Sequence, residues 1–284
     1  MMQVITFHLE VISRGKGRSI VQLAAYCARE KIFSDYEQRF YSTNKKNDLV
    51  FEKVMLPDHA PKHFLNRGVL WNEVERVEKF RNSRLARSFY YSLPRCLNNN
   101  AYIDMTQHYI QNYFVNRGMC ADVFIHDKGD GNPHVHTLVT TRSLDSNGQW
   151  ENKRKRIYLL NPDGTIACDP ETYKHIHVDT IKVTDWDDRN NVEIWRKGWA
   201  EVCNMELEHA GFERVTHMSY ARQGLDKEPT KHEGHIVREL AKREVMTDRY
   251  IENKIIKERN HEREMLRIQR ELDLNYDYSM QRSR

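Results

Sequence analysis

Three histidines fall within the stretch HDKGDGNPHVHTLV (126–139): His126, His134 and His136. Imidazole binds divalent metals through a neutral ring nitrogen. On an extended strand, residues i and i+2 share one face about 6.5–7 Å apart, so His134 and His136 can lean onto one ion. If DVFIHD forms the adjacent antiparallel strand, His126 joins them from its neighbour. Three ligands from two strands leave coordination positions open, which is the layout of a catalytic rather than a structural metal site. An HxH pair alone is weak: chance supplies roughly 0.7 of them in a chain with this much histidine. His175 and His177 form a second pair without a third histidine at comparable spacing. Spacing alone therefore leaves two readings open, a metal site or surface histidines beside a hairpin turn.

A metal site needs a reacting partner, and Tyr26 is the candidate. It follows the basic, glycine-containing loop SRGKGRS (13–19) and lies off the apolar stripe formed by Ile20, Leu23, Ala24 and Cys27. A phenol, with a pKa of about 10, is a poor nucleophile at neutral pH. It becomes useful where cations stabilise both the phenolate and the phosphate it attacks. Lys16, Arg18 and Arg29 would supply that field. Read without its neighbours, Tyr26 is also what most of the 14 tyrosines are, a half-exposed ring.

These side chains have to be positioned by the elements around them. Ile5, Phe7, Leu9 and Val11 alternate with polar residues, the pattern of a half-buried strand. Residues 20 to about 32 read as a helix that Ser19 can cap. Residues 49–56 read as a strand, 66–86 as a helix, and 88–94 as a strand stopped by Pro94. A helix over 101–117 stops at Gly118, and two strands follow, joined by a loop rich in Gly, Asp, Asn and Pro. This order predicts an α+β fold: a largely antiparallel sheet with helices packed on one face.

After Arg142 the texture changes. NKRKR (152–156) reads as a basic loop, and 190–209 as a helix closed by Gly211. Residues 235–284 contain no Gly or Pro and mix charges of both signs, which predicts a long exposed helix. The expected division is a domain over 1–234 and a charged helical extension over 235–284, with no internal repeat.

Composition limits the alternatives. With 39% hydrophobic and 10% aromatic residues among 284, the chain can bury a real core. Charged residues make up 30% and the mean hydropathy is −0.81, so much of the surface is solvated. The net charge is only +4, so any nucleic-acid contact must come from local basic patches. Five scattered cysteines without a CxxC exclude a disulfide scaffold and a zinc–thiolate site, and suit a reducing compartment. No apolar run approaches about 18 residues and no signal-like stretch opens the chain. The expectation is a cytoplasmic protein without membrane insertion.

Four blocks, VISRGKGRSIVQLAAYCARE, VMLPDHAP, RGMCADVFIHDKGDGNPHVHTLVTTR and SYARQGLDKEPTKHEG, are collinear over roughly residues 3 to 234. Together they resemble the MobA/MobL family of plasmid mobilisation relaxases, which are HUH endonucleases. The resemblance implies a five-stranded antiparallel sheet with flanking helices. It implies Tyr26 as the nucleophile and His126, His134 and His136 as ligands of a divalent metal, Mg²⁺ or Mn²⁺ in the family. Three imidazoles also suit later transition metals. The implied reaction is transesterification at a plasmid origin of transfer. Tyr26 becomes linked to the 5′ phosphate, a 3′ hydroxyl is released, and the strand is later rejoined. The implied partners are the single-stranded origin with an adjacent hairpin, relaxosome accessory proteins and a type IV coupling protein.

One departure stands out. The family commonly reads AREIEIALP where this chain has ARSFYYSLP (86–94), so Ser88 and Tyr90 replace glutamates. Glu52 and Asp35 are the candidate substitute acids. Candidate DNA contacts are Lys16, Arg18, Arg29 and Arg222, with the run Lys153, Arg154, Lys155 and Arg156 and also His232 behind them. The competing readings are a relaxase-derived single-strand-binding protein with reduced or lost catalysis, another HUH enzyme such as a rolling-circle initiator or transposase, or a metallohydrolase using the histidines alone. Replication initiators and transposases typically place the tyrosine after the histidine motif, whereas Tyr26 precedes it here.

Overall fold

The computed structural model describes residues 3–43, 47–231, 233 and 235–282. The strands are β1 (Gln3–Val4), β2 (Phe7–Ser13), β3 (Ile32–Ser34), β4 (Arg39–Tyr41), β5 (Leu49–Met55), β6 (Arg84–Ser92), β7 (Ala121–His126), β8 (His134–Thr140), β9 (Arg154–Tyr158), β10 (His177–Lys182) and β11 (Val215–Thr216). The helices are α1 (Ile20–Ala28), α2 (Arg67–Val77), α3 (Asn99–Tyr113), α4 (Asn190–His209), α5 (His235–Lys242) and α6 (Asp248–Arg282). The chain packs as two compact units, Met1–His217 and Met218–Arg284. The expected boundary at 234/235 falls inside the second of them.

In the first unit, five strands form one sheet in the order β2-β6-β8-β7-β5. Every neighbouring pair is antiparallel. The fold is α+β with flanking helices, as expected. The helices do not keep to one face, however. Alternation along a strand sends Val123 and Ile125 of β7 to one side and Asp122, Phe124 and His126 to the other. On the first side, these and Phe89, Tyr91, Val135 and Val139 pack on Tyr109 of α3 and Trp195 and Trp199 of α4. On the second side, Ile12, Phe124 and Leu138 pack on α1 and on Leu70, Trp71 and Val74 of α2. Both sheet faces are apolar in the central strands, so each needs a helical cover. The histidines lie on the face covered by α1 and α2.

Helix α1 carries Tyr26 and is fixed at both ends. Ser19 caps it by accepting from the Gln22 amide at 3.2 Å, and its own hydroxyl donates to Glu75 of α2 at 2.8 Å. The same Glu75 oxygen accepts the Ile20 amide at 3.0 Å, placing a carboxylate where the helix dipole is positive. The helix ends earlier than expected because Arg29 takes the left-handed conformation, φ 58°. Helix α2 also ends early, at Val77. Arg14 reaches across to its last carbonyls, bonding Glu75 O at 2.8 Å as well as Glu78 O.

NKRKR is not a loop. Its last three residues begin β9, which pairs with β10 in a two-stranded ribbon. In the second unit the expected single helix is two, α5 and α6, separated by a turn in which Glu244 has φ 62°. Asn253 and Asn260, seven residues apart and so on one face of α6, grip an extended segment of chain. Asn253 accepts from the Lys231 amide and donates to its carbonyl, both at 2.8 Å. Asn260 does the same with Glu228 at 2.8 Å. No helix among the described residues is long and apolar enough to cross a membrane.

Candidate metal and tyrosine site

The hairpin of β7 and β8 sets the histidines together. His126 and His134 are direct cross-strand partners, and His136, opposite Phe124 two pairs further along, shares their face. Asp127 accepts the Gly129 amide at 2.8 Å and Asp130 accepts the Asn132 amide at 3.2 Å, closing the loop between the strands. The three ring centroids are 5.2–5.6 Å apart, and one donor nitrogen from each ring lies within 4.8 Å of the other two.

The donor set fits a divalent ion. His134 donates from Nδ1 to the Asn132 carbonyl at 2.7 Å, so its Nε2 lone pair is the one left to a metal. His126 is held on both nitrogens: Nδ1 lies 3.1 Å from Arg29 Nη2 and Nε2 lies 2.9 Å from the Cys27 carbonyl. Guanidinium has no acceptor, so Nδ1 accepts and Nε2–H donates. An ion bound at Nδ1 would take the lone pair that Arg29 uses here. Burial keeps all three rings neutral, the state a ligand requires. It pushes His136 down to about 3, aided by the other two histidines, and His126 down to about 4, aided by Arg29. His134 is lowered as well, again chiefly by burial.

Tyr26 stands at the last turn of α1 with 45% of its surface exposed. Arg29 joins it to the histidines. Its guanidinium covers the Tyr26 ring at 4.7 Å from the centroid and also donates to the Tyr26 carbonyl. Two further donors, Nε and Nη2, grip the Asp48 carboxylate at 3.0 Å each. This ion pair is buried on both sides. Arg29, expected among the DNA contacts, has its donors engaged by the Asp48 carboxylate, the Tyr26 carbonyl and His126.

The remaining expected residues scatter. Arg18 pairs with Glu10 at 2.8 Å on the surface near the entry to α1, and Lys16 is exposed in the same loop. Glu52 pairs with Arg67 at 3.1 Å, and Arg67 and Trp71 both donate to the buried Asp122. Glu52 and Asp35 line a cleft of about 750 Å³ whose walls include neither Tyr26 nor any of the three histidines. Lys153 is tied to Glu78 at 2.8 Å. Arg154 and Arg156 are exposed and help line a cleft of about 1150 Å³ with Arg84, Arg142 and Tyr158. Arg222 lies in a short turn of the second unit, and His232 lies outside the described residues.

At the departure segment, Tyr90 is the direct partner of His136 on β8 and of His8 on β2, while Ser88 faces Leu138 and Glu10. The Tyr90 ring lies 5.0 Å from His134 and 5.3 Å from His136. Sequence reasoning missed Asp48 and Asn132. Neither sits in a spaced pattern; each acts through a contact made only when the chain folds.

A five-stranded antiparallel sheet that sets three histidines beside a helix-borne tyrosine defines an α+β protein with a candidate metal centre and nucleophile. A family model described as MobA/MobL family matches residues 18–243. The Agrobacterium fabrum conjugal transfer protein TraA is 32% identical over 82% of this chain and 21% of its own length. A Bifidobacterium longum protein named "Probable mobilization protein MobA" is 28% identical over 89% of this chain and 47% of its own. This chain thus spans between a fifth and a half of the length of these relatives. A solved structure described as the molecular basis of vancomycin resistance transfer in Staphylococcus aureus superimposes with a TM-score of 0.64 at 30% identity. It covers 76% of this chain and all of that one. The chain belongs to the MobA/MobL family.

Proposed function

We propose that this chain nicks one strand of DNA at a plasmid origin of transfer, by attack of Tyr26 on the scissile phosphate, and later rejoins it for conjugative mobilisation. The observation that carries the reading is Arg29, which contacts the nucleophile candidate, its backbone and a metal-ligand candidate at once. In the forward step a bond forms between Tyr26 Oη and phosphorus, and the bond from phosphorus to the 3′ oxygen breaks. The departing oxygen keeps the electron pair and ends as a 3′ hydroxyl, while the Tyr26 proton passes to water. Arg29 holds the ring over the end of α1 and places positive charge where the phenolate would form. His126, His134 and His136 would hold Mg²⁺ or Mn²⁺, which when bound polarises the phosphate oxygens and bears part of their developing charge.

The names of its relatives, which speak of mobilisation and conjugal transfer, support the setting of this reaction. Lys16 and Arg18 would meet the single strand near Tyr26, and Arg154 and Arg156 would meet the phosphates of an adjacent hairpin. Relaxosome accessory proteins and a type IV coupling protein would complete the assembly.

The test uses labelled single strands tiling the DNA upstream of the gene, with Mn²⁺. The native chain should form a covalent adduct stable to denaturant, Tyr26→Phe should form none, and His134→Ala should lose metal-dependent cleavage. Binding without any adduct would favour a DNA-binding protein derived from a relaxase. Cleavage without an adduct would point to metal-activated water.

A further inference from the structure

Tyr90 belongs to none of the roles assigned above, yet it lies beside the histidine centre. Across the sheet the order is Tyr90 on β6, His134 and His136 on β8, then His126 on β7. The end of α1 is bonded to His126 through the Cys27 carbonyl and Arg29, so Tyr26 is tied to the β7 flank. Tyr90 occupies the β6 flank. Tyr26 is thus linked to the centre through Arg29 and its β7 histidine, His126, whereas Tyr90 packs on its β8 histidines from the β6 side.

In-line displacement at phosphorus places the attacking and leaving oxygens on opposite sides of the phosphorus. A phosphate lying over the histidines and attacked from the Tyr26 side presents its 3′ oxygen toward the Tyr90 side. The Tyr90 hydroxyl is suited to meet it. Its one hydrogen bond among the described residues is as acceptor, from the Asn132 side-chain Nδ2 at 3.4 Å, which leaves its proton without an acceptor there. The ring is wedged against His134, His136 and His8, so the hydroxyl is held in place rather than swinging in solvent.

Resting on the reaction proposed above, we infer that Tyr90 is a catalytic residue whose hydroxyl donates a hydrogen bond to the departing 3′ oxygen. The bonds made and broken are those already given. The electron pair left on the 3′ oxygen is stabilised by the Tyr90 O–H until water supplies the proton that makes it a hydroxyl. In rejoining, the same bond orients the 3′ hydroxyl for attack on the phosphotyrosine.

The experiment compares two strands, the one cleaved by the native chain and the same strand with sulfur replacing the 3′ bridging oxygen. Sulfur leaves as a thiolate and needs no such donor. Tyr90→Phe, which keeps the ring, should slow single-turnover adduct formation on the oxygen strand by about 10²–10³-fold. It should react within a few-fold of the native chain on the sulfur strand, with an unchanged Mn²⁺ affinity by calorimetry. Tyr26→Phe should be rescued by neither strand. An equal loss on both strands, or no loss on either, overturns the role of Tyr90 and leaves the nicking reading intact. A native chain that forms no adduct with either strand overturns the nicking reading itself, and the role of Tyr90 with it.

Discussion

Burial sets the acid–base character of the candidate ligands, and it does so in the direction a metal centre needs. A base whose pKa is lowered keeps its neutral form to a lower pH than usual. With His126 held near 4 and His136 near 3, protons compete for these rings only well below the ordinary imidazole value of about 6.5. Mn²⁺ affinity, measured by calorimetry, should begin to fall at a lower pH than it would for exposed histidines. A steady decline starting near pH 7 would mean that the rings are solvated. That the three histidines lie together was legible, because one strand and one hairpin set their spacing locally, whereas their role and that of Tyr26 were suggested only by the family resemblance. Asp48 was not legible, because its value lies in a pairing with Arg29 that no periodicity marks. Arg29 shows the same limit: sequence shows the charge, and only the fold shows where Asp48 meets it.

At the scale of elements, helix starts were easier to read than helix ends. Ser19 announces α1 by its own chemistry, while the end of α2 depends on Arg14 arriving from a distant loop. The strand β9 escaped notice because charges on both of its faces hide the alternation that marks a half-buried strand. The packing of α3 on α4 was equally invisible, and it turns on one small residue. A Cβ added at Gly198 of α4 would lie 2.2 Å from Cζ of Tyr113 on α3. Gly198→Ala should cost about 1–3 kcal/mol in urea unfolding. Pairing it with Tyr113→Ala, which removes the obstructing ring, should recover part of the loss. An unchanged unfolding midpoint for the single variant would mean that the ring moves aside freely.

For the whole molecule, the fold class was readable from the order of elements, but the two-sided cover of the sheet was missed. A run such as VFI in β7 is apolar on both faces, and that is the mark of a strand with helices above and below. The small net charge leaves any nucleic-acid contact to local basic patches, and Arg154 and Arg156 lie exposed on the β9–β10 ribbon. If the ribbon meets a hairpin stem, replacing both with Ala should lower the slope of log affinity against log salt by about 0.9 per lost phosphate contact on hairpin strands. Strands lacking the stem should show no change. Equal changes on both would place the two arginines along the single strand.

The two anchored ends of α1 also have a mechanical meaning. A strand joined to Tyr26 and drawn away by its free end would pull on a helix of only nine residues. At one end the tension passes through Ser19 to Glu75 and α2; at the other it passes through Arg29 to Asp48 and His126. No slack loop lies between the point of attachment and these anchors. The load would enter α2 at one end and, through His126, the central sheet at the other, so the parts that hold Tyr26 are also the parts that would bear the cargo.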